Sequence, residues 1–363
     1  MTLIQTDRLV VQEEDGRLVG WEVPRKTELS SEAKVFIAAI EGDARAAAHH
    51  AMEAIGFREM FGAGDQVAVK VNLGGGITGV PSSFTEPELV AGVLETLLEI
   101  GAKPFVCEAD MRSFNIDEKM LRRRGYLAML AELKVPFVNL SRQPTVKFYT
   151  KDLDIPLLLP KTLLDPAVKI ISMPTPKHHW ECGVTLSQKN MYGAIAERRK
   201  SIYHLKGQSV LERVIAGAAR VMRPDLAVIG ATQLCGGLGP HLCVPINFDR
   251  IVIGNDMIAA DAVAAELLQF PYDRVGHAKI NLGQGELNYK LLPGSAGLDK
   301  KTLLKIERYS IKPEKLPAWR QRILFSYRFP HAMQHRFFGK FEFIATWINK
   351  LFYAWRGDGR RRG

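Results

Sequence analysis

The feature that most constrains this chain is a repeated alternation of short apolar, β-rich runs with amphipathic helical runs. Runs with strand character occur at residues 34–40, 66–72, 102–110, 135–140, 168–174, 225–230 and 250–256. Helical runs lie between them, most clearly at residues 85–98, 208–222 and 256–268. Strands alternating with helices of this length are typical of a mostly parallel sheet with helices on both faces. The sequence therefore predicts an α/β fold.

Local signals predict where two of these helices begin. Thr85 is followed three residues later by Glu88, the pattern of a capping box, and an apolar stripe follows from Leu89. Asp256 stands directly before the apolar run of the third helix. We expect its carboxylate to be the amino-terminal cap of that helix.

Composition sets limits on the class of protein. The chain has 363 residues, of which 47% are hydrophobic and 24% charged, as in an ordinary soluble globular protein. Its four cysteines include no CxxC pair, which argues against a disulfide framework, an iron–sulfur cluster or a zinc ribbon. No apolar run has the character of a signal peptide or reaches the roughly 18 residues of a spanning helix. We therefore expect a protein of a reducing compartment, the cytoplasm.

The net charge of +10 is unevenly distributed along the chain. Residues 296–363 hold 16 Lys and Arg against 5 Asp and Glu, so the rest of the chain is close to neutral. We predict an α/β domain at residues 1–290 and a basic, aromatic extension at residues 291–363. A neutral body does not have the basic surface typical of a nucleic-acid-binding domain.

Ligands of open α/β sheets bind beyond the carboxyl ends of strands, so the strand-to-helix junctions are the candidate sites. At the first junction, Lys70 and Asn72 lie two residues apart near a strand end and precede the triplet Gly74-Gly75-Gly76. A lysine, an amide and exposed backbone N–H groups are suited to a carboxylate or a phosphate. The alternative is an ordinary surface turn.

The second junction carries Glu108 and Asp110 after the run 102–107. Two carboxylates at a strand end are suited to a metal ion or to proton transfer. The alternative is that they cap the helix that follows.

The third junction is the segment PKHHWECGVTLSQKN at residues 176–190, which follows a predicted strand. Imidazole and thiol donors suit a transition metal, and lysines suit an anionic substrate. The segment is predicted to be a functional loop, and the alternative is a polar surface loop. Its metal candidates are His178, His179 and Cys182, and its anion-binding candidates are Lys177 and Lys189.

A fourth candidate is Asp261, whose carboxylate emerges from the apolar stripe of the helix predicted at residues 256–268. A buried carboxylate is costly unless it is paired or hydrogen-bonded. Asp261 is therefore expected either to hold a neighbouring loop in place or to orient a lysine or histidine of the site.

Four separated motifs together resemble a known family. They are VKVNL with FTEPELVAGVLETLLEIGA, PKHHWECGVTLSQKNMYG, RPDLAVIG with GGLGP, and IVIGNDMIAADAVAAELLQF, in this order between residues 67 and 285. The series is similar to that of the bacterial and archaeal family called domain of unknown function 362. The resemblance implies functional roles for Lys70, Asn72, Lys177, His179, Gly183, Thr185, Lys189, Asn190, Gly239, Pro240 and Asp261.

The chain also departs from that family. Many relatives carry an attached ferredoxin-like domain with cysteine-rich cluster motifs, which this sequence lacks, so the resemblance does not imply an iron–sulfur cluster. Cys235-Gly236-Gly237 stands where the family often has an acid before a Gly-Pro turn. No general activity is assigned to the family, so the resemblance implies the fold and the site more than the chemistry.

The carboxyl-terminal extension is predicted to contain an amphipathic helix at residues 336–355. Between Trp319 and Trp355 there are 12 of the 31 aromatic residues, interleaved with Arg and Lys. Such a helix suits the interface of an anionic membrane, and it equally suits packing on the body or across a homodimer. Its aromatic residues form a stripe rather than separate stacking platforms, which disfavours nucleic-acid binding.

Two hypotheses of function follow. In the first, the protein is an enzyme acting on an anionic small molecule, with metal assistance and with oxidoreductase or isomerase chemistry left open. Its predicted catalytic residues are His179, Lys189 and Asp261. Its predicted substrate-binding residues are Lys70, Asn72, Lys177, Thr185 and Asn190, and its predicted metal ligands are His178, His179, Cys182, Glu108 and Asp110. In the second hypothesis, the body is a non-catalytic binding or scaffold module that its extension brings to a membrane or a partner.

Overall fold

A computed structural model describes residues 1–23, 33–74, 81–111, 115–179, 181–239 and 242–310. Its strands are β1 (Thr2–Gln5), β2 (Leu9–Glu14), β3 (Arg17–Glu22), β4 (Lys34–Ala39), β5 (Gln66–Val71), β6 (Lys103–Glu108), β7 (Phe137–Asn139), β8 (Thr145–Tyr149), β9 (Leu157–Pro160), β10 (Val168–Met173), β11 (Lys177–His179), β12 (Gly183–Thr185), β13 (Leu226–Leu238), β14 (Leu242–Gly254) and β15 (Lys290–Leu291). Its helices are α1 (Ala44–Ile55), α2 (Pro87–Glu99), α3 (Glu118–Arg123), α4 (Tyr126–Leu133), α5 (Ser187–Gly193), α6 (Ser201–Leu205), α7 (Gln208–Val221), α8 (Met257–Leu267), α9 (Gly276–Leu282) and α10 (Lys300–Tyr309).

The main sheet has the strand order β15-β4-β14-β13-β10-β5-β6-β7. Strands β13, β10, β5, β6 and β7 run parallel to one another. Strand β14 is antiparallel to both β13 and β4. The predicted α/β fold is confirmed, and its parallel part is the half of the sheet that contains β5 and β10.

Helices cover both faces of this sheet. Helices α1, α2 and α4 pack on one face, and α5, α7 and α8 pack on the other. The strands alternate accordingly: Val67, Val69 and Val71 of β5 face the α2 side, and Ala68 faces the α5 side. Since alternate residues of a strand share a face, Lys70 lies with Ala68 on the α5 side.

A second, five-stranded sheet has the order β1-β2-β3-β8-β9. Buried residues such as Val11 and Phe148 join it to the core on the α5 side of the main sheet. Sequence analysis did not predict this sheet. Its strands are short, and those of the amino terminus carry charged residues at exposed positions, so they lack the continuous apolar character of the central strands.

The start of α2 differs from its prediction, whereas the start of α8 is as predicted. Thr85 is not a helix cap, because its hydroxyl donates to the carbonyl oxygen of Met173 at 2.6 Å and accepts from the Asn72 amide at 2.9 Å. Helix α2 begins two residues later with Pro87. The Asp256 carboxylate accepts hydrogen bonds from the amides of Ile258 and Ala259 and caps α8.

One disulfide joins the long hairpin strands β13 and β14. Cys235 and Cys243 are bonded, with their Cα atoms 5.0 Å apart. The expectation of cysteines without disulfides is wrong for this pair, because the hairpin brings together residues whose spacing matches no known cysteine motif. Cys107 and Cys182 are free and buried. The cysteines therefore give no support to the predicted reducing compartment.

The end of the described chain packs on the main sheet. Strand β15 pairs with β4, and Ile306 of α10 is fully buried in the core on the α5 side. The predicted amphipathic helix at residues 336–355 lies outside the described residues. In the part of the chain that the structure describes, no helix is both long enough and apolar enough to cross a membrane.

Candidate functional site

The connections of the main sheet diverge between the neighbouring strands β5 and β10. From β5 the chain proceeds to β6 and β7 on one side, and from β10 it proceeds to β13 on the other. The carboxyl ends of β5 and β10 therefore form the switch point where open α/β sheets bind their ligands. Residues after these two strands include Asn72 and Lys177, both predicted to bind substrate.

Lys70 lies at this switch point as the partner of Glu108. Its ammonium nitrogen is 2.9 Å from the Glu108 carboxylate, and both side chains are fully buried. The same nitrogen donates to the Val71 carbonyl oxygen at 2.7 Å and to Asn190 Oδ1 at 3.0 Å. The charge of Lys70 is thus balanced within the protein, which makes this lysine a structural member of the site.

Asn190 ties helix α5 to the sheet. Its Nδ2 donates to the carbonyl oxygen of Lys70 at 2.8 Å and to Ser172 Oγ at 3.1 Å, which connects α5 to both β5 and β10. Gly193 of the same helix faces the ion pair. A Cβ at this position would lie 3.0 Å from Lys70 Nζ and 3.3 Å from Glu108 Oε1.

Lys177 is almost completely buried, and its contacts are with neutral oxygens. Its ammonium nitrogen donates to Asn72 Oδ1 and to the Ser83 carbonyl oxygen, each at 2.7 Å. No carboxylate among the described residues forms an ion pair with it. Burial, followed by the nearby charge of Lys189, holds the pKa of Lys177 well below the usual lysine value. Its neutral amine form is therefore favoured more than in an exposed lysine.

Lys189 lies on α5 and is 8% exposed. Its ammonium nitrogen lies 5.1 Å from the centre of the Tyr192 ring, which gives a cation–π contact. Among the residues that the structure describes, it forms neither a hydrogen bond nor an ion pair. Lys189 is thus a nearly buried cation that forms no ion pair among the described residues, although Glu212 is near enough to interact with it electrostatically.

The predicted loop at residues 176–190 is in fact a short hairpin followed by α5. Strand β11 pairs with β12, so that Lys177 is opposite Thr185 and His179 is opposite Gly183. Gly183 has a φ of +79°, and a Cβ there would lie 2.4 Å from the Phe270 ring. Only glycine fits this position without displacement of the ring. Trp180 lies outside the described residues.

The two histidines of β11 make different contacts. His178 Nε2 donates to the Leu268 carbonyl oxygen at 2.8 Å, and its buried Nδ1 has no partner in the described structure. Burial lowers the pKa of His178 to about 4, so this imidazole is neutral. His179 Nδ1 accepts from the amides of Glu181 and Cys182 at 3.1 and 3.2 Å. The proton of a neutral His179 is therefore on Nε2.

The remaining predicted metal ligands have other partners. Burial raises the pKa of the Cys182 thiol well above its usual value. Asp110 accepts from the Ile116 amide at 2.7 Å and from Asn139 at 2.8 Å. Across the described ranges, no three His, Cys, Asp or Glu side chains are grouped closely enough to hold a metal ion. The described residues therefore contain no grouped set of donor side chains, and the metal site stays a prediction.

Asp261 holds a neighbouring segment in place, which is the first of the two roles expected for it. Its two carboxylate oxygens accept from the amides of Ser187 and Gln188 at 2.6 and 3.0 Å, at the start of α5. Burial raises its pKa to about 7. Asp261 therefore anchors the helix that carries Lys189 and Asn190.

Sequence analysis missed several polar residues near the site. Lys200, which follows α5, donates to the Asp110 carbonyl oxygen at 2.9 Å, and burial lowers its pKa to about 8. Glu212 of α7 is 2.6 Å from His277 Nδ1 in a buried pair. Tyr192 had a detectable signal, since it lies three residues after Lys189 on the same helix. The other three, Lys200, Glu212 and His277, lie outside the predicted motifs.

The fold and site define a class of α/β proteins in which a polar, lysine-rich cluster lies at the carboxyl ends of a parallel sheet. Residues 67–266 match the family described as "Domain of unknown function (DUF362)", and the chain belongs to this family. The resemblance that its motifs carry is thereby confirmed.

A curated relative is a thylakoid-associated protein of Synechocystis sp. (strain ATCC 27184 / PCC 6803 / Kazusa). It is 28% identical to this chain over 211 residues, which cover 57% of this chain. The matched region spans 64% of the length of that relative.

Proposed function

We propose that this protein binds an anionic small molecule at the carboxyl ends of β5 and β10 and acts on it by acid–base chemistry. The observation that carries the proposal is an imbalance of charge. Lys70 has Glu108 as its counter-ion, whereas Lys177 and Lys189 are also buried but form no ion pair with a carboxylate among the described residues.

A buried cation without a counter-ion is costly, and it reduces that cost by losing its proton or by acquiring an anion. Lys177 illustrates the first response, because its pKa is well below the usual lysine value. A carboxylate or phosphate between Lys177 and Lys189 would allow the second. Bound anion and lysine charge would then stabilise each other.

Unpartnered polar atoms occur on the segment that carries Lys177 and Lys189, with His178 on the face of β11 opposite to Lys177. Thr175 Oγ1, His178 Nδ1 and Ser187 Oγ are buried and have no hydrogen-bond partner in the described structure. All three residues belong to the segment that leads from β10 to α5. Buried polar groups normally have partners, so such atoms are expected to meet water or ligand.

The residues also offer groups for proton transfer. A neutral Lys177 amine uses its two N–H groups on Asn72 and Ser83, which leaves its lone pair as a proton acceptor. His179 accepts at Nδ1, so its Nε2–H is a proton donor. A general base and a neutral imidazole N–H, which can donate a hydrogen bond to developing negative charge, lie on the same strand and suit an isomerisation or another proton abstraction from a bound anion.

Metal assistance remains part of the enzyme hypothesis, with His178, His179, Cys182, Glu108 and Asp110 as the proposed ligands. Elemental analysis of the purified protein would test it, with the His178/His179/Cys182 triple alanine variant as comparison. A near-stoichiometric metal that the variant loses supports the hypothesis. Equal metal content in both proteins, after reconstitution, contradicts it.

Titration calorimetry with inorganic phosphate and with oxalate tests the anion site. Lys189→Gln is expected to weaken binding at least about tenfold, because a charge-assisted contact is worth roughly 1.5–3 kcal/mol. Lys147→Gln is the matched control, since Lys147 also lies over a tyrosine ring, at 5.6 Å, but is exposed. Equal loss of affinity in both variants would contradict a specific site at Lys189.

The second candidate function is that of a binding module held at a membrane. It rests on the thylakoid-associated relative and on the basic, aromatic sequence of residues 311–363, which contain 12 Lys and Arg against 3 Asp and Glu. Peripheral association with an anionic bilayer is compatible with either a catalytic or a non-catalytic body. A variant without residues 311–363, compared with His179→Ala, would show whether the function depends on the carboxyl-terminal segment or on the body.

A further inference from the structure

We propose that helix α10 presents a fixed, cationic face to an anionic lipid bilayer. The proposal rests on the membrane association put forward above and assigns a described surface to it. The partner is the headgroup layer of a bilayer rich in anionic lipid.

One face of α10 packs on the body and holds the helix in place. Ile306 is fully buried in the core, and the Tyr309 side chain passes 3.3 Å from the position of a Cβ on Gly236. Asp299 caps the helix by accepting from the Thr302 amide at 3.0 Å, and Ser310 Oγ donates to the Gln269 carbonyl oxygen at 3.3 Å. The orientation of α10 on the protein is therefore set by both of its ends and by its middle.

The opposite face is exposed and basic. Lys301, Leu304, Lys305 and Arg308 follow one another at helical spacing and are all exposed. Leu304 is 56% exposed, which makes it an apolar residue surrounded by three cations. Single exposed leucines are common, so Leu304 points to a membrane only in combination with the basic residues around it.

This combination is complementary to a bilayer surface. Each basic residue near an anionic surface contributes about 1 kcal/mol, and a leucine among them can enter the headgroup region. The chain continues from this helix into the basic, aromatic residues 311–363. A membrane contact of residues 311–363 would bring α10 to the same surface, because only Ser310 separates α10 from these residues.

A flotation assay of the full chain with lipid vesicles tests the proposal. Vesicles of phosphatidylcholine with phosphatidylglycerol are compared with vesicles of phosphatidylcholine alone. The variant K301Q/K305Q/R308Q is expected to lower partitioning to the anionic vesicles by about a hundredfold, at about fivefold for each residue. The matched control is K119Q/K147Q/K279Q, of which Lys119 and Lys147 are exposed and distant in sequence from α10.

The possible outcomes separate the two proposals. Failure of the wild-type chain to bind anionic vesicles contradicts membrane association and α10 contact together. Binding that the α10 variant retains at the wild-type level contradicts the α10 proposal and leaves membrane association standing. Equal losses in the variant and the control show a general charge effect and also contradict it. The contribution of Leu304 is tested separately with the variant L304D. This variant should bind anionic vesicles more weakly than the wild-type chain, with an unchanged circular dichroism spectrum.

Discussion

Lys70 Nζ and Glu108 Oε1 lie 2.9 Å apart at the ends of neighbouring strands, and both side chains are fully inaccessible to solvent. Each charge is stabilised by the other, because neither has access to water. The pair is also bound to helix α5 through Asn190. The ion pair thus fixes the framework of β5, β6 and α5. Lys177 and Lys189, the lysines without an ion-paired carboxylate, are positioned on this framework.

Removing one member of this pair should destabilise the protein. Glu108→Gln leaves the Lys70 charge buried without a counter-ion, so the free energy of unfolding should fall by about 3–5 kcal/mol. The double variant Lys70→Met/Glu108→Leu should lose less, because it buries no unpaired charge. Urea denaturation of the three proteins measures both effects. A double variant that is less stable than Glu108→Gln would contradict a large cost of the unpaired Lys70 charge.

Gly193 should tolerate no side chain. A methyl group there would lie 3.0 Å from Lys70 Nζ and 3.3 Å from Glu108 Oε1, so Gly193→Ala should cost about 1–3 kcal/mol of stability. Gly297 has open space around the same position, and Gly297→Ala is therefore the control. Similar thermal denaturation of the two variants would contradict the close packing of α5 against the ion pair.

Asp261 should make stability depend on pH. Its folded pKa of about 7 exceeds that of an unfolded aspartate, about 3.9, so between these values the folded state holds the extra proton. This group's contribution to stability therefore falls as pH rises from about 4 to 7, by up to about 1.4 kcal/mol per pH unit. Relative to wild type, Asp261→Asn should gain stability over that range. Denaturation at pH 5 and pH 8 measures the difference, and a pH-independent difference would refute the raised pKa.

Anion binding should be coupled to proton uptake. The pKa of Lys177 is lowered in the free protein, and an adjacent anion would raise it, so binding should protonate a fraction of the amine. Calorimetric titration with sulfate in two buffers of different ionisation enthalpy measures the protons taken up. Sulfate does not titrate near neutral pH, which removes its own contribution. Lys177→Met should abolish the uptake, and an uptake that persists in this variant would assign it to another group.

The fold could be predicted because its signal is local. Buried strands are continuous apolar runs, and each one predicted from the sequence is present, but β13 and β14 extend well beyond the predicted runs as a hairpin with strands of 13 residues each. The Thr85 prediction failed because a serine or threonine before a helix has the same local pattern whether it caps the helix or bonds to another strand. The hydroxyl of Thr85 bonds to Met173, which is 88 residues away in the sequence.

The placement of the candidate residues at strand ends was predictable from the sequence, but their pairings were not. The positions of Lys70, Lys177 and Lys189 followed from the strand ends and from the family resemblance. Which lysine has a counter-ion depends on contacts between distant segments, such as that of Lys70 with Glu108. The same holds for Asp261, whose amide partners are more than 70 residues away. The spacing of residues along the sequence does not indicate which distant residues contact each other.

The most direct test of the central claim is a crystal structure of the protein soaked with selenate, with data collected at the selenium absorption edge. The account predicts an anomalous peak from selenate within hydrogen-bond distance of the amino groups of Lys177 and Lys189, and no such peak in Lys189→Gln. Ordered selenate only at other surfaces of the wild-type protein would contradict an anion site at the carboxyl ends of β5 and β10.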